Sequence, residues 1–404
     1  MMQRSGSADL ALFSGPIPGW LFERMTALSG HVVEAIVQDQ GAEGFLARLS
    51  DPFWFQSFGA VIGMDWNSSG VTTAVMAALK RSLNPRAAEL GLYVCGGKGK
   101  DSMQTPLELL AVAERTGLDG DRLAYLSRLT AKLDNTAVQD GFNIYLHSFV
   151  LARSGAWSVV QQGMNTAGAQ GLARRYHWHS AHVRSFVAEP HSAVCGENQG
   201  EILNLVAADA APTQAAMLQI AQERPEAVVQ EMRRLVMPGH KQVSAQDVDL
   251  KRLGTLLALA QEADTGSFEN LLMLRGMGPR AIQSLALVAE VIHGTPARFA
   301  DPARFSLAHG GKGGRPFPVP VKVYDQTIAT LKTAVERARI GQTDKAKALE
   351  KLVAVQIRLE QNFTPAPDAE ARFDHYLAQE QHDSPLYGGR TAARPTQSEP
   401  GTEA

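Results

Sequence analysis

A chain of 404 residues, 45% hydrophobic and 20% charged, has the composition of a soluble globular protein with room for two or three domains. A net charge of −2 excludes a polycation that coats nucleic acid indiscriminately. Two cysteines, Cys95 and Cys195, exclude a disulfide framework; no secretory signal or membrane span is expected either, and a reducing cytoplasm is the expected compartment.

From Gly19 to about Ala47, apolar residues recur at helical spacing (Leu21, Met25, Leu28, Val32, Ile36). The aromatic-rich DPFWFQSFGAVIGMDW that follows reads as core, with Asp51-Pro52 as a helix start. Ser68-Ser69 can cap a helix from about Val71 to Ser82. Gly91 to Cys95 reads as a short strand ending in GGKGK, and two helices are expected between Thr105 and Asp134. From Phe142 the period changes to two: FNIYLHSFVLA and AWSVVQQGM flank Arg153-Ser154-Gly155, a β-hairpin signal. The histidine-rich ARRYHWHSAHVRSFVAEPHSAVCGENQG reads as loop. Helical pattern returns from Pro212 to Ala263, with breaks near Pro225 and Pro238, and a charged helix is expected from Asp344 to Asn362. The fold class is therefore α+β and mostly helical. An N-terminal α+β domain (1–205) with a small antiparallel sheet precedes a helical connector (206–263), a C-terminal helical domain (264–362) and a mostly disordered, Pro/Gly/Ser/Thr-rich tail (363–404).

The stretch LLMLRGMGPRAIQSLALVAEVIH, residues 271–293, carries the strongest functional signal. Two apolar runs joined by Gly276-Met277-Gly278 resemble the helix-hairpin-helix of DNA glycosylases, ligases and repair nucleases. Glycines let the backbone turn tightly and approach a phosphate, and orphan amides at the start of the second helix face it. Pro279 suits the first helical position, where no amide is needed, and Arg280 adds charge. From Thr265 to Lys345 there are 11 Arg/Lys against 6 Asp/Glu, a local excess of base in a neutral chain. GGKG occurs twice, at Gly96–Gly99 and Gly310–Gly313; neither fits a Walker A loop. The second places Lys312 and Arg315 where they can clamp a strand beside the hairpin.

Longer strings carry a further resemblance. GSADLALFSGPIPGWLFERM, RLSDPFWFQSFGAVIGMDWNSSGVTTAV, QDGFNIYLHSF, WSVVQQGMN, ARRYHW, LRGMGPRAIQSLALVAEVIHG and AHGGKGGRPFPVP together resemble the domain-of-unknown-function 763 family of bacteria and archaea, over roughly residues 4 to 340. The resemblance implies a fold and no settled activity. Where relatives are expected to read DWHSSG, this chain has Asn67 in place of the histidine. Any part that histidine plays is not open to Asn67.

Three groups are candidates for chemistry. Asp140, Gln161 and Asp65 can imitate the acidic and amide oxygens that hold Mg or Mn in a nuclease. His147, His177 and His179 are candidate metal ligands, Zn included, if their rings converge. Arg174 and Arg175, interleaved with Tyr176 and Trp178, can form a cationic, stacking rim. In the hairpin, Arg280 stands where bifunctional glycosylases carry a lysine and cannot form a Schiff base, which argues against a lyase. The function expected is sequence-independent DNA binding in repair or recombination through Gly276, Gly278, Arg280, Lys312, Arg315, Arg174 and Arg175, with metal-dependent nuclease activity in the N-terminal domain. The alternatives are a non-catalytic accessory factor and a monofunctional glycosylase. RNA remains an alternative ligand because such contacts reach phosphates and not bases.

Overall fold

The computed structural model describes residues 10–11, 19–64, 70–165, 172–196, 198–234, 250–263, 265–303, 321–338, 341–346, 348–350 and 352. Asp65, Asn67, Lys312, Arg315, the break near Pro238, most of the charged helix and the tail from 363 lie outside them.

The strands in chain order are β1 (Leu10–Ala11), β2 (Leu92–Lys98), β3 (Val138–Gln139), β4 (Asn143–Ala152), β5 (Trp157–Asn165), β6 (Leu172–His179), β7 (Ala193–Cys195), β8 (Glu201–Asn204) and β9 (Phe299–Ala300). The helices are α1 (Gly19–Leu49), α2 (Pro52–Ile62), α3 (Gly70–Leu83), α4 (Ala87–Leu90), α5 (Lys100–Thr116), α6 (Gly120–Lys132), α7 (Ala211–Gln222), α8 (Pro225–Arg234), α9 (Leu250–Glu262), α10 (Phe268–Met273), α11 (Pro279–His293) and α12 (Val321–Arg337). The protein is mostly helical with antiparallel sheets, an α+β fold.

The main sheet has six strands in the order β1-β6-β5-β4-β2, with β7 also paired to β6. The expected hairpin is its centre: β4 and β5 turn at Arg153–Ala156, and Val159 lies opposite Phe149. The stretch expected to be loop is different. Its first quarter belongs to β6, which is paired along its whole length with β5. An antiparallel sheet commonly leaves one face in water. Here both are covered, so β5 is buried from Trp157 to Gly163 without alternation.

On one face, Phe149, Val159, Tyr176 and Trp178 join a core shared with α5, α6, α7 and α9 to α11. On the other, Leu146, Val150 and Val160 pack with α1 to α3 and α12. Local chemistry fixes the helix starts. Asp51 caps α2 by accepting the amides of Phe53 (2.8 Å) and Trp54 (3.1 Å), and Pro52 needs no partner there. At Gly96 (φ +86°), a Cβ would stand 2.2 Å from the His147 carbonyl oxygen and 2.3 Å from Thr105 Oγ1, so only glycine lets β2 lie this close to β4 and α5.

The expected boundaries at 205 and 264 are not breaks in packing. A second sheet, β3-β8-β9, joins residues from three distant parts of the chain, with Ile202 opposite Phe299. Leu271, Ile282 and Leu285 belong to the same core as Phe149 and Trp178. No helix among the described residues is long and apolar enough to cross a membrane.

Candidate nucleic-acid interface and a buried polar sheet

α10 and α11 are joined by the bend Leu274–Gly278. Ser267 caps α10 by accepting the Asn270 amide, and the Leu271 carbonyl accepts the Leu274 amide where the helix ends. Gly276 takes φ +88°, a conformation costly for a side chain, while Leu256 approaches within 3.3 Å of where its Cβ would be. Gly278 is different: its φ of −97° and ψ of −178° suit any residue before a proline, and a Cβ there would meet nothing within 4 Å. Nothing inside the molecule requires glycine at 278.

Met277 is buried and anchors the bend, whereas Arg275, Gly276, Pro279 and Arg280 are exposed. The Met277 and Gly278 amides are used locally, by the Leu274 and Gly276 carbonyls. The amides of Arg275, Gly276 and Arg280 have no partner among the described residues. The first turn of the 15-residue α11 carries no acidic residue. The bend is braced from behind by Gln139, whose Nε2 donates to the Pro279 carbonyl (2.7 Å). What results is a group of amides on exposed residues, without partners among the described residues, at the positive end of a helix and beside two exposed arginines.

The other expected residues lie inside. Successive residues of a strand point to opposite faces, so Arg174, Tyr176 and Trp178 share one face of the main sheet and Arg175, His177 and His179 the other. Arg174, expected at a phosphate-binding rim, is fully buried between two carboxylates: Nη1 donates to Asp140 Oδ2 (2.9 Å) and Nη2 to Asp301 Oδ2 (2.8 Å). Asp140, expected to hold a metal, instead accepts from Arg174, from the Tyr176 hydroxyl (2.5 Å) and from the Phe142 amide (3.0 Å). Burial pushes its carboxyl up, and Arg174 opposes this most strongly. Gln161 donates from Nε2 to Asp134 Oδ2 (2.6 Å), while its Oε1 is buried with no hydrogen-bond partner among the described residues. Asp134 also accepts from Trp178 Nε1 (2.9 Å) and contacts His191 Nε2 at 2.5 Å.

The three histidines do not converge. His147 lies opposite Gln161, and Gln161 opposite Tyr176, so its ring is on the Tyr176 face, against Ser127 Oγ (2.8 Å). His177 is on the reverse face, where Nδ1 bonds the Leu49 carbonyl (3.1 Å) and Nε2 accepts from Arg175 Nε (2.8 Å). Burial holds His147 and His179 down at about 4 and His177 well below its ordinary value, so all three rings are neutral at neutral pH. No set of three His, Cys, Asp or Glu side chains among the described residues is arranged to hold a metal. Arg175, also expected to contact phosphate, is as buried as its neighbour.

Sequence reasoning missed Asp134, Asp301 and the polar role of Tyr176. Asp134 sits in a turn of π-helix, Leu133–Ala137, and Asp301 directly after β9; neither has a local pattern that marks it. The one signal available was the run Arg174-Arg175 inside a strand, since buried arginines demand partners.

The architecture is thus a two-sided antiparallel sheet between helical layers, with buried ion pairs on one of its faces. The chain belongs to the DUF763 family, proteins of unknown function, whose family profile spans residues 6–319. No curated protein and no solved structure matches it.

Proposed function

We propose that the protein binds the phosphate backbone of a nucleic acid, DNA foremost, without reading sequence, and does so as a non-catalytic accessory factor of repair or recombination. On this reading α10, the bend and α11 act as a helix-hairpin-helix. The observation that carries it is Gly278: an open position with ordinary backbone angles, beside unpaired amides, where a side chain would obstruct only an incoming group. The exposed guanidinium groups of Arg275 and Arg280 add the charge such a contact uses. The accessory reading is preferred to a nuclease because Asp140 spends both carboxylate oxygens on Arg174, Tyr176 and the Phe142 amide, and no set of three His, Cys, Asp or Glu side chains among the described residues is arranged to hold a metal.

The test is binding of fluorescent duplexes of unrelated sequence across a salt series. Affinity is expected to fall linearly on a log–log plot and to be nearly equal between sequences. Gly278→Val is expected to cost about 1 kcal/mol of stability or less as a helix cap, yet to reduce binding by at least about tenfold through a lost phosphate contact. A well-folded Gly278→Val protein that binds duplex as tightly as the parent refutes the reading.

A further inference from the structure

Gln139, whose side chain braces Pro279, ends a stretch of chain that leads back into α6. α10 packs on α6, and the π-helical turn Leu133–Ala137 packs on both α10 and α11. Leu129 and Leu133 share one core with Leu271, Met277 and Ile282, so α6 and the bend belong to one packed unit. At its start α6 brings Arg122 and Tyr125 within electrostatic reach of Glu269 on α10. Beyond its end Gln139 meets Pro279. α6 therefore lies along α10 and runs towards the bend.

The surface so assembled is basic. From Arg122 to Gln139 the sole acidic residue is Asp134, which is fully buried and accepts from Gln161 and Trp178. From Asn270 to Ala289 there is none. Arg122 has Glu269 nearby, and Asp121 stands at that same far end of α6. Closer to the bend, Arg128 is exposed and Lys132 half-buried, and neither forms a hydrogen bond or ion pair among the described residues. Tyr125, Arg128 and Lys132 are spaced three and four residues apart and so share one helix face. Arg128 and Lys132 are about 6 Å apart along the axis. Burial lowers the Lys132 amine from its ordinary value, with no carboxylate opposing it. An amine partly withdrawn from water and left without counter-charge gains more from an incoming anion than a solvated one does.

We infer that the nucleic-acid interface extends from the bend onto α6, where Arg128 and Lys132 bind phosphates of the same double-stranded backbone that the hairpin holds. The inference rests on the hairpin reading for its first contact and adds a second. The occupant is a duplex because both contacts belong to one packed unit. A stiff duplex presents its phosphates at set positions, whereas a single strand has to be ordered to reach both.

The experiment measures binding of a fluorescent duplex by anisotropy across a salt series, with full-length parent, Gly278→Val, and Arg128→Gln combined with Lys132→Gln. Each lost phosphate contact removes about 0.9 from the slope of log affinity against log salt. The α6 double variant should flatten the slope by about two and weaken binding roughly fiftyfold at about 0.1 M salt, by the same factor on unrelated sequences. Its Tm should stay within about 2 °C of the parent's, since neither side chain has a partner to lose. Lys332→Gln combined with Lys345→Gln removes the same charge on and beside α12, which packs on the other face of the sheet, and should leave slope and affinity as in the parent. An α6 double variant that binds like the parent overturns the proposal. So does an equal loss in the Lys332 and Lys345 control, which reduces the effect to net charge, and so does a single strand that binds as tightly as a duplex of the same length. The two readings fail separately. If Gly278→Val weakens binding and the α6 variant does not, the hairpin stands and its extension falls; if the α6 variant alone weakens binding, the hairpin falls and α6 is a phosphate-binding face in its own right.

Discussion

Removing the Arg174 side chain tests whether the buried ion triad carries its share of the fold. Arg174→Met keeps length and apolar stem but strands two carboxylates with no exposed surface. Breaking a buried pair by deleting one partner costs about 3–5 kcal/mol, because the remaining charge must be neutralised or tolerated. Asp140 keeps the Tyr176 hydroxyl and Phe142 amide, and Asp301 keeps the Gln199 and Ala303 amides, which argues for the lower half of that range. At about 2 °C per kcal/mol for a chain of this size, Tm should fall by roughly 6–8 °C at pH 7. The pH dependence has a definite sign. Without the guanidinium, nothing charged opposes the burial that raises the Asp140 carboxyl, so the folded protein binds that proton more tightly than the unfolded chain. Stability is then fullest at low pH and is lost as pH rises through the raised value. The deficit against the parent should shrink toward pH 4.5 and be largest above neutrality. Adding Asp140→Asn and Asp301→Asn should recover part of the loss. Urea titration of the three proteins at three pH values measures this, and an Arg174→Met protein within about 1 kcal/mol of its parent at pH 7 defeats the argument.

Further outcomes follow from the same geometry. His147 is buried and held at about 4, so its neutral form belongs to the fold; stability should fall as pH drops from about 6.5 toward 4, by up to about 3 kcal/mol. NMR titration of its ring should show no protonation above pH 5, and an ordinary imidazole titration there would contradict the packing. Cys95 and Cys195 are buried, with thiols pushed up to about 12 and about 11. A disulfide reagent at pH 7.5 should therefore find almost no thiol in the native protein and both after denaturation. Gly96→Ala should lose more than about 3 kcal/mol, since its Cβ collides with a backbone carbonyl at a positive φ. Circular dichroism melting decides it, and a change below 1 kcal/mol would mean β2 moves freely.

The elements with a clear period were legible and the ones with buried charge were not. α3, expected over Val71–Ser82, runs Gly70–Leu83, and the hairpin expected around Arg153-Ser154-Gly155 is β4–β5. β6 escaped because Arg174, Arg175, His177 and His179 remove the apolar alternation that marks a strand; both faces of the sheet are covered, so polar residues go inward on each. The same burial moved the arginine rim and the histidine cluster from expected surface sites into the sheet. Periodicity says which residues share a face and nothing about what lies above it. The pairing of Arg174 with Asp301, 127 positions away, could be found only in three dimensions. The bend between α10 and α11 was legible from composition because glycine, proline and apolar spacing are local properties; Gly276 is fixed by its positive φ, whereas nothing inside the molecule requires glycine at 278.

The clasp formed by Arg174, Asp140 and Asp301, together with the β8–β9 ladder, bears on how this polypeptide acquires its shape. A ribosome must deliver residue 301 before Arg174 on β6 can add its second carboxylate to Asp140, so the amino-terminal half emerges with the clasp half made. Maturation should therefore be slow and all-or-none, and fragments cut ahead of Phe299 should precipitate instead of yielding a free-standing sheet.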